Sequence, residues 1–188
     1  FRSAAGMPNR IKKSVMTAAD VASHSELLSP DTEFAELYLT ELGRGCTRGC
    51  RFCTAGFVYR PPRLWSTGSV LAGLRQCPAD INRIGLLGME MTDSDSLDLI
   101  AKEIKDGEHY LSFSSLRADR ISPQLLELLA QSELKSVAIA PDGASERLRR
   151  VINKGLDEGD LLKAAESLIE AGLAKLKLYL MIGLPTET

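Results

Sequence analysis

Apolar and polar positions along the chain fall into two alternating kinds of stretch. Short apolar runs bounded by turn residues occur at 34–42 (FAELYLTEL), 81–88 (INRIGLLG), 109–115 (HYLSFSS), 134–140 (LKSVAIA) and 174–182 (AKLKLYLMI). Each reads as a strand. Between them, Leu97, Ile100, Ala101 and Ile104 recur at helical spacing, as do Leu161, Leu162, Ala165, Leu168 and Ile169. The run SPQLLELLA opens a further helix, with Ser122 as N-cap and Pro123 at the first helical position. Strand and helix thus alternate over long connections, which predicts parallel strands with right-handed crossovers: an α/β sheet or an open barrel. In AKLKLYLMI the lysines alternate with Leu176 and Leu178 before the run turns fully apolar, the pattern of a strand entering a covered core.

Residues 1–33 hold no sustained period and read as a lead-in or linker, leaving 34–188 as the core. A chain of 188 residues suffices for one domain, but is short of the about 250 residues of a closed eight-unit barrel. It begins at Phe1 and stops at Thr188 within GLPTET, as a fragment of something longer would. With 44% hydrophobic and 26% charged residues and a net charge of −2, nothing global supports a nucleic-acid or membrane partner. No apolar run approaches the roughly 20 residues of a membrane span, and no secretory leader is evident, so a cytoplasmic protein is expected.

In parallel α/β folds chemistry collects at the C-terminal strand ends. Those ends carry Gly43 to Cys53, then GMEMTDSD, SSLRAD, PDGAS and GLPTET. The first is the most informative, because GRGCTRGCRFCTAGF places Cys46, Cys50 and Cys53 within eight residues. Such crowding in a reducing compartment points to metal. Thiolates in a glycine-rich loop suit an iron–sulfur cluster, and three ligands leave one iron open, as in a catalytic site. From Gly43 to Ala79 there is no Asp or Glu, but Arg44, Arg48, Arg51, Arg60, Arg63 and Arg75 are present. That setting stabilises thiolates and an anionic cluster. Two other uses compete: a structural zinc site completed by Cys77, and an unliganded turn. Cys77 by itself reads as a small buried or semi-exposed residue.

The CxxxCxxC spacing with Phe52 before its last cysteine resembles the radical S-adenosylmethionine (radical SAM) enzymes. The resemblance runs from about residue 34 to the end. CTRGCRFCTAGFVYRPPR, SSLRAD, RRVINKG and YLMIGLPTET are similar to the subgroup containing the tRNA methylthiotransferases, closest to members that often carry a cobalamin-binding domain. It implies a partial (β/α)6 barrel of parallel strands, five visible here and the sixth beyond Thr188. It also implies a [4Fe-4S] cluster on Cys46, Cys50 and Cys53. That cluster would bind S-adenosylmethionine at its open iron and cleave it reductively to methionine and a 5′-deoxyadenosyl radical. An electron donor such as flavodoxin or ferredoxin and a substrate are implied as partners, with methyl or methylthio transfer among the reactions. No DxHxxG occurs, so a cobalamin would sit in a domain outside these residues.

Residue by residue, the resemblance lays Phe52 against the adenine and brings Gly88 and Glu90 near the methionyl amine. Here Met89 replaces the second glycine of the family's Gly-Gly-Glu. Ser115 and Arg117 belong to the SSLRAD end; Asp142 and Ser145 meet the ribose. Arg117, Arg150 or Lys154 meets the methionyl carboxylate, and Ile182, Gly183 and Leu184 offer backbone to the adenine. Each has a plainer use: Asp142 as a helix cap, Ser115 and Arg117 as a surface turn with a salt bridge, Glu90 as a solvated side chain, and GLPTET as a turn. Two other functions stand beside the enzyme: an electron-transfer iron–sulfur protein, and a zinc-stabilised module for a partner such as RNA.

Overall fold

The computed structural model describes residues 12–15, 20–88, 94–132 and 134–188. Each apolar run becomes a strand: β1 (Leu37–Glu41), β4 (Arg83–Leu87), β5 (Tyr110–Phe113), β6 (Ser136–Asp142) and β7 (Lys175–Leu180). Two short strands, β2 (Gly43–Arg44) and β3 (Arg63–Leu64), form an antiparallel pair that closes the cysteine segment. The helices are α1 (Ala55–Val58), α2 (Thr67–Leu74), α3 (Ser94–Asp106), α4 (Pro123–Gln131), α5 (Glu146–Val151) and α6 (Glu158–Glu170). Their starts are written in side chains. Ser66, Ser122 and Ser145 accept a backbone N–H at α2, α4 and α5, and Asp157 forms a capping box with Asp160 at α6.

The five long strands are parallel, β1 beside β4 beside β5 and β6 beside β7. A parallel bridge from Leu116 to Ile139 joins the two groups, with Leu116 N–H donating to Ala138 at 2.7 Å. The result is the expected open α/β half-barrel of five strands. Residues 23–25, within the expected lead-in, pair antiparallel along the outer edge of β1 through Ser25 N–H to Leu39 O and Glu41 N–H to Ser23 O. The backbone groups of that edge are thereby satisfied.

Strand alternation sorts the side chains into two faces. Tyr38, Thr40, Ile84, Leu86 and Leu111 fall on the helix side, where they meet Val70, Leu74, Leu97, Ile100 and Ile104 in a first core. Val137 and Ile139 join Leu125, Leu129, Ala164 and Leu168 in a second. Phe113 packs against both. The apolar end of β7 does not enter a covered core among the described residues: Leu178, Tyr179 and Leu180 are each about half exposed.

Leu129 is fully buried and Leu178 is 55% exposed. Leu129→Ala should lower the unfolding free energy by about 2–5 kcal/mol and Leu178→Ala by under about 1 kcal/mol, measured by urea denaturation. A second expectation concerns Tyr38, whose hydroxyl donates to Gly73 O at 2.7 Å. Burial first, then the charges of Cys77 and Glu26, push its hydroxyl up to about 12. The unfolded chain loses that proton near pH 10, so the stability present below pH 10 should fall between pH 10 and 12. Tyr38→Phe should flatten that fall in urea melts across the range.

Candidate functional site

The cysteine loop leaves the C-terminal end of β1 and returns through β3, so the β2–β3 pair clamps its two ends. Inside the clamp the backbone is packed closely. Gly45 has φ +99°, and a Cβ there would lie 2.2 Å from the Tyr59 carbonyl oxygen. A Cβ on Gly56 would lie 2.7 Å from the Arg48 oxygen. Only glycine fits these two approaches. Arg48 N–H donates to the Cys46 sulfur at 3.3 Å, and Arg60 donates to the Arg48 carbonyl at 2.9 Å. Cys50 is buried, while Cys46 and Cys53 are half-buried.

The loop is then seated on a segment far away in sequence. Arg51 N–H donates to Ile152 O at 2.9 Å, the Arg51 guanidinium to Val151 O at 2.6 Å, and the Asn153 amide to Gly49 O at 2.8 Å. Arg48 reaches Asp119 at 2.5 Å and lies beside Gly155, where φ is +65°. Asp119 also accepts from Arg117 at 2.8 Å, and Arg117 donates to Lys154 O at 3.0 Å. Burial alone would raise the Asp119 carboxyl. The hydrogen bond from Arg117 and the charges of Arg117 and Arg48 outweigh it and hold the group below the usual carboxylate range.

Lys154 is buried, pairs with Asp142 at 2.5 Å, and holds its ammonium 5.9 Å from the centroid of the Phe52 ring. Asp142 ends β6 with φ +62°, so it pairs with Lys154 instead of capping α5, whose cap is Ser145. Gly88, at φ +79°, closes the end of β4 so tightly that a Cβ would lie 2.6 Å from Gly43 O. It lines a cavity of about 160 Å³ with Ser114, Ser115, Leu116, Arg117 and Arg120. Glu90 lies outside the described residues. Arg150 points to solvent in an ion pair with Glu146. Ile182 is exposed, and the N–H groups of Gly183 and Leu184 donate to the Glu187 carboxylate at 2.6 and 2.8 Å.

The structure therefore brings the cysteines, Phe52, Lys154, Asp142 and Arg117 into one contact network. Arg150 stands outside it. Asp119 and Asn153, which sequence reasoning did not single out, are its fasteners. The acid-free segment foreshadows Asp119, since six arginines without a nearby acid must find one elsewhere. Arg44, Arg48 and Arg75 do so with Glu41, Asp119 and Glu103.

Three thiols in one glycine-rich loop are the donor chemistry of an iron–sulfur cluster. Among the described residues no group of three or more His, Cys, Asp or Glu side chains is arranged to hold a single metal ion. Cys77 does not complete a four-cysteine zinc site. It follows α2, at the opposite end of the strands from the loop, with its thiol directed at Ile81 O and its pKa raised by burial and then by Asp80.

Comparison with known proteins gives the same direction. The sequence profile of the Radical SAM superfamily matches residues 40–188. An uncharacterised protein of Methanocaldococcus jannaschii is 35% identical over 162 residues, 85% of this chain. The chain spans 36% of that relative's length. Among solved structures, the radical S-adenosylmethionine methyltransferase TsrM of Kitasatospora setae, with cobalamin and a [4Fe-4S] cluster bound, superposes with TM-score 0.65 at 16% identity. That match covers 80% of this chain and 32% of the other. The cobalamin-dependent enzyme OxsB gives TM-score 0.59 at 17% identity, over 76% and 23%. Coproporphyrinogen III oxidase of Escherichia coli gives 0.58 at 16%, over 81% and 38%. These likenesses establish the shared fold.

Gly45→Ala should break the loop and sharply lower the iron retained per chain after anaerobic reconstitution. Gly68→Ala, where a Cβ meets nothing within 4 Å, should retain full iron. Its thermal midpoint should be unchanged or raised, since alanine favours a helix over glycine by up to about 1 kcal/mol.

Proposed function

The chain belongs to the radical SAM superfamily, and we propose that it is the catalytic core of an enzyme that cleaves S-adenosylmethionine reductively at a [4Fe-4S] cluster. The observation that carries this reading is the strapped, glycine-rich loop that carries Cys46, Cys50 and Cys53 at the C-terminal strand ends. When bound there, the cluster supplies an open iron and one electron, which split the sulfonium into methionine and a 5′-deoxyadenosyl radical. The protein's part is to hold the thiolates, orient the cosubstrate and keep water away.

Of the three basic candidates for the methionyl carboxylate, Lys154 is the one the geometry favours. Arg117 is occupied by Asp119 and by the Lys154 and Gly155 carbonyls, and Arg150 faces solvent with Glu146. Lys154 stands beside the loop against Phe52, so a carboxylate could displace or share its Asp142 partner. Phe52 offers a half-exposed ring for the adenine, and the backbone at 182–184 offers peptide groups to the same base. Asp142 and Ser145 meet the ribose, with Gly88, Ser115 and Glu90 toward the methionyl amine.

The finer reading is a member of the methylthiotransferase-like subgroup, working in the cytoplasm, with a cobalamin-binding domain outside residues 1–188 and methyl transfer as the reaction class. The cobalamin-bound neighbours TsrM and OxsB support the cobalamin domain, and the methyltransferase TsrM supports the reaction class; the subgroup rests on the sequence motifs alone. A small acidic one-electron carrier of the flavodoxin or ferredoxin kind would supply the electron. The substrate class is not written in these residues. Among the described residues no helix is long and apolar enough to cross a membrane.

Anaerobic reconstitution should yield about four irons per chain and an EPR signal of the reduced protein that changes on adding S-adenosylmethionine. Zinc in place of iron, or a signal blind to S-adenosylmethionine, would return the loop to a structural or electron-carrying role. Lys154→Gln should weaken equilibrium binding of S-adenosylmethionine at least ten-fold, about 1.5–3 kcal/mol for a charge-assisted bond, while Arg150→Ala leaves it unchanged.

A further inference from the structure

One side chain gripped by the cysteine loop is not a cysteine and not one of the groups assigned to S-adenosylmethionine. Asp119 sits in the 3-10 turn Ala118–Arg120 after β5, with its side chain 16% exposed. One oxygen accepts from the Arg117 guanidinium at 2.8 Å and the other from the Arg48 guanidinium at 2.5 Å. Arg117 is in turn fixed by the carbonyls of Lys154 and Gly155. The turn, closed by the Arg120 N–H bond to Arg117 O, is anchored to the sheet through the neighbouring Leu116–Ile139 bridge. Asp119 is therefore a rigid post, fastened to β5, β6 and the segment after α5.

What the post holds is Arg48, midway between Cys46 and Cys50. The backbone N–H of Arg48 donates to the Cys46 sulfur at 3.3 Å. Its carbonyl is fixed by Arg60 and by the close approach of Gly56. With the side chain tied to Asp119 as well, the Arg48 peptide cannot rotate without breaking one of these attachments. Hydrogen bonds to ligating sulfur stabilise the more negative, reduced form of an iron–sulfur cluster and so raise its reduction potential.

We propose that Asp119 is a positioning residue for the metal centre: by anchoring Arg48 it aims the Arg48 amide at the Cys46 sulfur and sets the potential at which the cluster takes up its electron. The proposal rests on the cluster reading given above. It separates from an ordinary charge effect by sign. A carboxylate acting only through its own negative charge opposes electron uptake, and its neutralisation raises the potential. A carboxylate acting through Arg48 and the N–H to sulfur does the reverse when lost, because the cluster forfeits a hydrogen bond that favours reduction.

The experiment is an EPR-monitored redox titration of the reconstituted full chain, wild type against Asp119→Asn, Asp119→Glu and Arg48→Met. In Asn one of the two carboxylate oxygens becomes an NH2 donor and the negative charge is lost, so the charge-assisted hold on Arg48 is weakened. The expected result is full iron content in all four proteins, a potential shifted negative in Asp119→Asn and Arg48→Met, and a return toward wild type in Asp119→Glu. A positive shift or no shift in Asp119→Asn overturns the proposal. Loss of iron from Asp119→Asn alongside a loaded wild type also overturns it, because the carboxylate would then hold the loop together and not tune it. Should Asp119→Asn fail to fold, Asp119→Ser decides by the same sign, because Arg48→Met removes a positive charge and shifts the potential negative on that ground alone. A wild-type chain that takes up no iron sinks the cluster reading itself, and that failure is recognised before any substitution is made.

Discussion

The whole site depends on the seam between the cysteine loop and residues 151–155. The chain is built on two cores, one under β1, β4 and β5 and one under β6, joined by Phe113 and the Leu116–Ile139 bridge. The loop that carries the cysteines issues from the first group of strands. Its fastenings at Gly49, Arg51 and Arg48 lie on segments belonging to the second. Each backbone or side-chain bond of the seam contributes on the order of 1 kcal/mol. Together they make the loop geometry conditional on both halves being folded. A thiol arrangement that exists only in the assembled half-barrel is protected from forming a misplaced metal site in a partly folded chain.

Electrostatics follow from the same seam. The stretch from Gly43 to Ala79 contains no acid, and an isolated loop of that composition would be strongly basic. In the fold Glu41, Asp119 and Glu103, outside the stretch, take Arg44, Arg48 and Arg75; Arg51 donates to the Val151 carbonyl and Arg60 to the Arg48 carbonyl within the loop. Around the cysteines the described ion pairs involve the cations Arg48, Arg117 and Lys154 and the carboxylates Asp119 and Asp142. Arg51 and Arg60 add two further cations whose guanidinium groups meet backbone carbonyls, so the loop keeps a positive setting in which these guanidinium groups have partners.

The periodic part of this architecture was legible. Five apolar runs became five parallel strands within a few residues of their expected ends. Ser122 caps α4 as its sequence context requires, and the cysteine spacing marked the candidate site. The aperiodic part was not. Residues 23–25 pair with β1 through backbone groups and one serine hydroxyl, so no alternation marks them. The β2–β3 clamp is two residues a side, too short for any pattern to register. The pairing of Arg48 with Asp119 joins residues 71 apart in sequence, and such a pair is visible only once the β5 turn and the loop are brought together. Composition showed that the arginines needed partners; topology decided which.

The same contrast explains why the basic candidates could not be ranked beforehand. Arg117, Arg150 and Lys154 are equivalent as charges in a string of letters. Their positions in the fold are not. Arg117 lies at a strand end facing inward, where its guanidinium geometry suits the forked contacts to Asp119 and two carbonyls. Arg150 lies one turn from Glu146 on an exposed helix face, where an i,i+4 pair is the default outcome. Lys154 follows the left-handed Asn153, which turns the chain back toward the loop and brings a point charge on a flexible stem beside Phe52. A lysine pairs with Asp142 without the rigid bidentate fork of an arginine, so its partner can be exchanged at modest cost. The proposed exchange of Asp142 for the methionyl carboxylate needs that property, and among the three candidates Lys154 alone has it.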